Sequence, residues 1–209
     1  ATPLLILALL AMFIPSIVAC FQKNVKRVFA YSSVAQIGYM ILGISFVSVT
    51  GLTAGILHLF NHALMKGALF LVLGCIFYRI GSCHIDRMAG IARRMPWTMA
   101  AFSIGALSMI GVPPTGGFIS KWYILGGAIQ DDNYLALATL IVSTLLNAAY
   151  FLPFIFAAFF YEEDVKPARP HGEAPWPMVA ALTFTALLTF AFFIFHQPIA
   201  DLEAQILVK

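Results

Sequence analysis

The amino-acid sequence predicts an all-helical integral membrane domain with about six transmembrane helices, one of them discontinuous. Hydrophobic residues make up 61% of the 209 residues and charged residues only 10%, and the mean hydropathy is +0.92. Average soluble domains carry about 25% charged residues, so this composition is typical of a chain solvated mainly by lipid. A net charge of +3 is too small to indicate a nucleic-acid partner.

Six apolar stretches have about the 20 residues that a helix needs to cross the hydrocarbon core. They cover residues 3–21, 28–49, 52–78, 97–129, 134–160 and 176–197. The first opens in mid-helix, without an initiator methionine or a basic leader, so we expect residues 1–209 to form a single transmembrane domain of a longer polytopic chain. Cysteine–histidine metal spacings, phosphate loops and nucleophile triads are missing from the sequence, which therefore predicts no catalytic site, no cofactor and no metal.

The fourth stretch is long for one crossing and short for two. Gly-Val-Pro-Pro-Thr-Gly-Gly, residues 111–117, lies in its middle. Pro113 and Pro114 remove backbone donors, and Gly116 and Gly117 tolerate unusual dihedral angles. We therefore predict two half-helices that meet at an unwound hinge, which requires cover from protein or a water-filled cavity.

The distribution of basic residues supports a single crossing there. With one crossing, nine basic residues lie in loops on one side and only Lys209 on the other; with two crossings the division is 7 to 3. The nine are Lys23, Lys26, Arg27, Arg79, Arg87, Arg93, Arg94, Lys166 and Arg169. The positive-inside rule then predicts a multi-pass protein of the cell's inner (plasma) membrane with both ends of the segment on the non-cytoplasmic side.

Three ionisable residues recur every four positions in the third stretch. His58, His62 and Lys66 form a ladder on one helix face with steps of about 6 Å. Ionisable groups at membrane depth cost roughly 2.5–3.5 kcal/mol each on insertion scales, so they tend to mark ion pathways. Histidine exchanges protons near neutral pH, and burial disfavours the charged form of lysine. The ladder therefore predicts a proton relay.

Two other interpretations of the ladder stay open. The histidines can be core residues that bond backbone carbonyls, with Lys66 extending to the membrane interface. A zinc site at His58 and His62 is the second alternative, although the stretches supply no Cys, Asp or Glu within reach as a further ligand.

Lys121 follows the helix break by four residues. The half-helix that ends near Gly111 exposes free carbonyls, which we expect to hold the Lys121 ammonium. A lysine at the membrane edge is the alternative, and the apolar residues that follow it weaken that alternative.

All nine acidic residues lie in predicted loops or in the tail. They are Asp86, Asp131, Asp132, Glu162, Glu163, Asp164, Glu173, Asp201 and Glu203. Sodium prefers hard oxygen ligands, so protons are the expected substrate, with Na+ as a further possibility. Polar residues on other stretches either line a water path or bond helix to helix, and the sequence leaves this open for Thr139, Ser143, Thr144, Tyr31, Gln36 and Tyr39.

Three long motifs carry a resemblance to a known family. They are KRVFAYSSVAQIGYM from Lys26, HLFNHALMKGALF from His58 and MPWTMAAFSIGALSMIGVPPTGGFISKWY from Met95. They resemble the antiporter-like membrane subunits, which include the A and D subunits of Mrp-type multisubunit cation/proton antiporters and the proton-pumping membrane subunits of complex I and membrane-bound hydrogenases. The segments RMPWTMAAF and PPTGGFISKWY are most similar to the Mrp D subunit.

The resemblance implies a fold and a set of roles. Such subunits have about fourteen helices in two inverted repeats, each with a broken helix, and this chain resembles the C-terminal half with the second repeat. Lys121 matches a terminal ion-transfer lysine, and His58, His62 and Lys66 match a connecting hydrophilic axis. Asn24 departs from the acidic residue that commonly precedes the lysine–arginine pair.

The function expected from the resemblance is translocation of protons or monovalent cations, with the other membrane subunits of the same complex and the lipid bilayer as partners. An Mrp-type antiporter is the first hypothesis. A complex I or hydrogenase subunit is the alternative, and a non-conducting scaffold subunit is a third.

Overall fold

The computed structural model describes residues 2–162 and 172–201, and all the regular elements within these ranges are helices. They are α1 (Thr2–Cys20), α2 (Val25–Ser45), α3 (Val49–Ile80), α4 (Pro96–Ile110), α5 (Gly116–Gln130), α6 (Tyr134–Phe160) and α7 (Trp176–Ile194), with short 3-10 turns at Ile85–Arg87 and Ile91–Arg93. Six charged residues of the predicted loops and tail lie outside the described residues: Glu163, Asp164, Lys166, Arg169, Glu203 and Lys209.

Five of the six predicted stretches each correspond to one helix and the fourth to two, with ends that differ by a few residues because caps rather than hydropathy set them. The Asn24 side chain accepts a hydrogen bond from the Lys26 amide at 3.0 Å, so α2 begins before its apolar stretch does. Ser48 caps α3 in the same way through the Gly51 amide. Side-chain oxygens at these positions satisfy amides that have no partner within the helix.

The fourth stretch is interrupted as predicted, at residues 111–115 between α4 and α5. Each half has 15 residues, about 22 Å of helix, which is less than the roughly 30 Å hydrocarbon core. The other five helices are each long and apolar enough to cross a membrane alone. Within the described ranges, the chain is therefore a multi-pass membrane protein with one broken helix.

The two halves make a single crossing. Near the start of α4, the Gly90 amide donates to the Ala157 carbonyl at the end of α6. At the other end of the bundle, Phe46 after α2 packs in one cluster with Ile124 and Ala128 of α5. The chain thus enters α4 at one end and leaves α5 at the opposite end.

The loops that carry basic residues share one end of the bundle. The Val25 amide donates to the Cys83 carbonyl at 2.8 Å, and the Ile85 amide donates to the Lys23 carbonyl at 3.0 Å. These bonds join the α1–α2 connection and the first turn of α2, which together carry Lys23, Lys26 and Arg27, to the α3–α4 connection. The predicted grouping of seven described basic residues is therefore present.

Helix α3 is the central element. It packs against α2, α4, α5 and α7, while α1 packs against α2 and α6. The main apolar cluster lies toward the basic end, where Phe29, Phe102 and Phe151 meet from α2, α4 and α6. His58, Asn61 and Lys66 of α3 lie inside the bundle, as do Thr115 to Gly117 at the start of α5. Val112, Pro113 and Pro114 of the helix break are exposed.

Candidate functional site

The break between α4 and α5 has a local cause in three glycines. Gly111 ends α4 with φ +93°, in the left-handed region that glycine adopts without strain. A Cβ atom at Gly116 would lie 2.5 Å from the Asn61 side-chain oxygen, and one at Gly117 would overlap the Ser108 carbonyl. The start of α5 therefore lies against both α3 and α4 at a distance that only glycine permits.

Lys121 is held by the carbonyl end of α4. Its Nζ donates to the Ile110 carbonyl at 2.7 Å and the Met109 carbonyl at 3.1 Å, with Thr144 Oγ1 at 3.3 Å. The residue is only 7% exposed. The free carbonyls of a helix C-terminus carry partial negative charge and stabilise a cation, so these contacts match the predicted position and do not fit a lysine at the membrane edge.

A groove between α5 and α6 reaches the same ammonium. It has a volume of about 310 Å³ and is lined by Lys121, Thr144, Gly111 and apolar side chains. Trp122 and Leu145 on its walls are more than half exposed. The groove links the Lys121 side chain to the outer surface of the described bundle.

Lys66 lies near the middle of α3 and is also buried, at 7% exposure. Its Nζ donates to Ser32 Oγ at 2.6 Å and to the Phe29 carbonyl at 2.7 Å, both on α2. The Ser32 hydroxyl itself donates to the Phe29 carbonyl at 3.1 Å, which leaves its lone pairs for the lysine. These contacts point Lys66 into the bundle rather than to the membrane interface.

His58 joins three helices. Its Nε2 lies 2.9 Å from Gln36 Oε1 on α2, and its Nδ1 lies 2.9 Å from Ser120 Oγ on α5. Because the Gln36 oxygen only accepts, Nε2 is the donor of that bond, and Nδ1 pairs with the Ser120 hydroxyl. Both ring nitrogens are engaged by neutral groups, so zinc binding with His62 would break one of these bonds.

His62 differs from its neighbours in the ladder. It is half-buried, and its Nε2 is a buried atom with no hydrogen-bond partner among the residues that the structure describes. Within that part of the chain, the same holds for Gln36 Nε2 and Asn61 Oδ1. Asn61 instead donates its amide to Ser120 Oγ at 3.3 Å, on the side of α5.

Helix α6 completes the site through a hydrogen-bonded cluster. The Tyr39 hydroxyl donates to Ser143 Oγ at 2.8 Å and accepts from Asn147 Nδ2 at 3.2 Å. Asn147 also donates to the Met109 carbonyl, and its oxygen accepts from the Tyr150 hydroxyl. Of the two roles left open for Tyr39 and Ser143, bonding helix to helix is the one that these contacts show.

The structure brings the predicted residues to one interior region and adds residues that sequence reasoning missed. The four residues of the predicted relay (Lys66, His62, His58 and Lys121) are all buried or half-buried there. Ser32 and Ser120 were not predicted, although Ser32 precedes Gln36 by one helical turn and Ser120 adjoins Lys121.

The described acidic residues lie at helix ends and in connections, as predicted. Glu173, for example, caps the N-terminus of α4, where its carboxylate accepts from the Trp97 amide at 2.7 Å and from the Thr98 hydroxyl. The hydrogen-bond acceptors around Lys66 and Lys121 are neutral carbonyls and hydroxyls.

Comparison with known proteins agrees with this architecture. The model of the NADH:quinone oxidoreductase/Mrp antiporter transmembrane family matches residues 1–147. The chain belongs to this family.

Individual relatives come from both branches of the family. The chain is 43% identical over 162 residues to NADH-quinone oxidoreductase subunit N of Desulforudis audaxviator, covering 78% of this chain and 32% of that protein. It is 30% identical over 208 residues to the Na(+)/H(+) antiporter D subunit of Alkalihalophilus pseudofirmus, covering 98% and 41%. The chain thus spans less than half the length of these two relatives.

A solved structure shares the fold. One chain of the Mrp complex from Dietzia sp. superposes with a TM-score of 0.87 at 23% identity, over 96% of this chain and 45% of that one. This likeness supports the helical arrangement and extends to the fold alone.

Proposed function

We propose that this chain translocates protons, coupled to a monovalent cation such as Na+, as part of a multi-subunit Mrp-type cation/proton antiporter. Lys66, His62, His58 and Lys121 act as the relay groups, and residues 111–117 form the hinge of the broken helix. Membership in the NADH:quinone oxidoreductase/Mrp antiporter family supports this proposal.

The observation that carries the proposal is the burial of two lysines against neutral partners. A charged lysine inside a membrane is costly, and such residues mark ion paths when they face the bundle interior. Lys66 and Lys121 are each held by two strong acceptors without a carboxylate among their hydrogen-bond partners. Among the residues that the structure describes, no carboxylate bonds either ammonium, so each site accommodates the charge and still allows the proton to leave.

Polar side chains of α2, α3 and α5 meet at His58, between Lys66 and Lys121 in the proposed relay. His58 reaches Gln36 on one side and Ser120 on the other, and Ser120 adjoins Lys121. Gln36, Asn61 and His62 each have a buried atom that lacks a hydrogen-bond partner within the described ranges, and all three residues lie on α2 or α3. Because such atoms in native proteins are usually satisfied by ordered water, these residues suit proton transfer through water.

Replacement of Lys121 tests the proposal. In the full-length subunit within its complex, we expect Lys121→Ala to abolish ion flux in proteoliposomes while subunit assembly on a native gel is unchanged. Lys26→Ala is the matched control, because Lys26 is exposed outside the bundle interior. Wild-type flux in Lys121→Ala would remove this residue from the mechanism and would favour the scaffold alternative.

A redox-driven complex is the second candidate, and the 43% identity to NADH-quinone oxidoreductase subunit N favours it. The same relay residues would then serve a pump whose energy comes from other subunits. Purification of the intact complex from native membranes distinguishes the two. Flavin or iron–sulfur subunits in the complex would indicate the redox pump, and small membrane subunits alone the antiporter.

We also propose that the chain is the second repeat of a longer antiporter-like subunit in the plasma membrane, with the basic end of the bundle in the cytoplasm. The grouping of the α1–α2 and α3–α4 connections at one end supports this orientation through the positive-inside rule.

A further inference from the structure

Tyr39 lies between two groups of the proposed relay, His58 on α3 and Lys121 on α5. It projects from α2 and is fully buried. Its ring centroid is 5.3 Å from that of His58 and 4.7 Å from Lys121 Nζ. One side chain thus contacts both the first histidine of the ladder and the lysine at the helix break.

The ring is held in place from α6. Its hydroxyl donates to Ser143 and accepts from Asn147, which also donates to the Met109 carbonyl at 3.2 Å. The Met109 carbonyl is one of the acceptors of Lys121. The same amide therefore orients both the aromatic ring and the carbonyl end of α4 around the lysine.

The face of the Tyr39 ring stabilises the Lys121 ammonium in a different way from its hydrogen-bond acceptors. An aromatic face carries partial negative charge that attracts a cation without accepting its proton, and this attraction is strongest when both groups are withdrawn from water. The Tyr39 ring and the Lys121 ammonium are both buried. The tyrosine hydroxyl, in contrast, is directed at α6, where it bonds Ser143 and Asn147.

We infer that Tyr39 is a positioning residue of the relay, whose ring keeps the Lys121 ammonium at the end of α4 and beside His58. The hydroxyl serves to orient the ring. This inference rests on the proposed transport function, in which Lys121 is a transfer group.

Two substitutions separate the ring from the hydroxyl. In the full-length subunit within its complex, we expect Tyr39→Leu to lower proton flux about tenfold or more, because it removes the aromatic face. Tyr39→Phe keeps the face and should retain flux within about threefold of the wild type. Equal losses in the two variants, or wild-type flux in Tyr39→Leu, would overturn the inference.

A fluorination series at position 39 distinguishes the charge of the ring face from simple packing of the ring. Phenylalanine with increasing numbers of ring fluorines keeps its shape while its face loses negative charge, so flux should fall stepwise along the series. The same series at Phe102, a buried ring stacked on Phe29, is the matched control and should leave flux unchanged. Flux that is independent of fluorination at position 39 would overturn the inference even if Tyr39→Leu failed to assemble.

Lys121→Ala, measured in parallel, separates the proposed transport function from the proposed role of Tyr39. Flux through Lys121→Ala would refute the transport role itself. Loss of flux in Lys121→Ala, together with full flux across the fluorinated variants, would refute only the role of Tyr39.

Discussion

Ser32→Ala should reduce transport through its effect on Lys66. The Ser32 hydroxyl is one of two close acceptors of the buried ammonium, at 2.6 Å, and the Phe29 carbonyl is the other, at 2.7 Å. Ser33 provides a matched control on the same helix. Its hydroxyl donates to the same Phe29 carbonyl at 2.9 Å, but it is not a hydrogen-bond partner of Lys66.

The magnitude follows from the type of bond that is lost. A hydrogen bond to a charged group contributes about 1.5–3 kcal/mol, and water cannot readily replace it at a fully buried site. Because about 1.36 kcal/mol corresponds to a factor of ten, the protonated form of Lys66 becomes about 10- to 150-fold less accessible. Proton flux should fall by a similar factor where formation of this state limits transport. Ser33→Ala loses only a neutral hydrogen bond, worth about 0.5–1.5 kcal/mol, and leaves the contacts of Lys66 in place.

Proton flux into proteoliposomes that contain the purified complex measures both variants, with assembly checked by size-exclusion chromatography. We expect Ser32→Ala to lose most of its flux and Ser33→Ala to remain near the wild type. Equal flux in the two variants would refute the assignment of Ser32 as a partner that stabilises charged Lys66.

Three further predictions concern packing, coupling and orientation. Gly117→Ala should destabilise the subunit by about 1–3 kcal/mol, because the added methyl group overlaps the α4 backbone. Gly126→Ala adds its methyl group to open space and should leave stability unchanged, so equal melting temperatures of the two variants in detergent would contradict the close packing. Lys66→Ala combined with His62→Ala should reduce proton flux little more than Lys66→Ala alone, since the two residues share one path; additive losses would show that they act separately. A cysteine at exposed Arg87, in a background without native cysteines, should react with a membrane-impermeant reagent only from the cytoplasmic side, and labelling from outside intact cells would reverse the proposed orientation.

The helices and the helix break were predictable because they depend on local properties of the chain. Bilayer thickness sets the length of an apolar stretch, and adjacent prolines end a helix wherever they occur. The helix ends were predicted less well, because single capping side chains such as Asn24 and Ser48 determine them. The inward orientation of Lys66 and Lys121 was also predictable, since charged groups avoid lipid and both residues lie within long apolar stretches.

The partners of those charges were decided only by the tertiary structure. That Lys66 meets Ser32, and that His58 meets Ser120, depends on how α2, α3 and α5 are rotated about their axes and how closely they approach. Close approach in turn depends on Gly116, whose missing Cβ admits the Asn61 side chain. The sequence by itself determined which ionisable groups enter the membrane, because their transfer cost is a property of each residue. Packing between helices decided which acceptors stabilise them, because hydrogen bonds form only between groups that the fold brings within about 3 Å of each other.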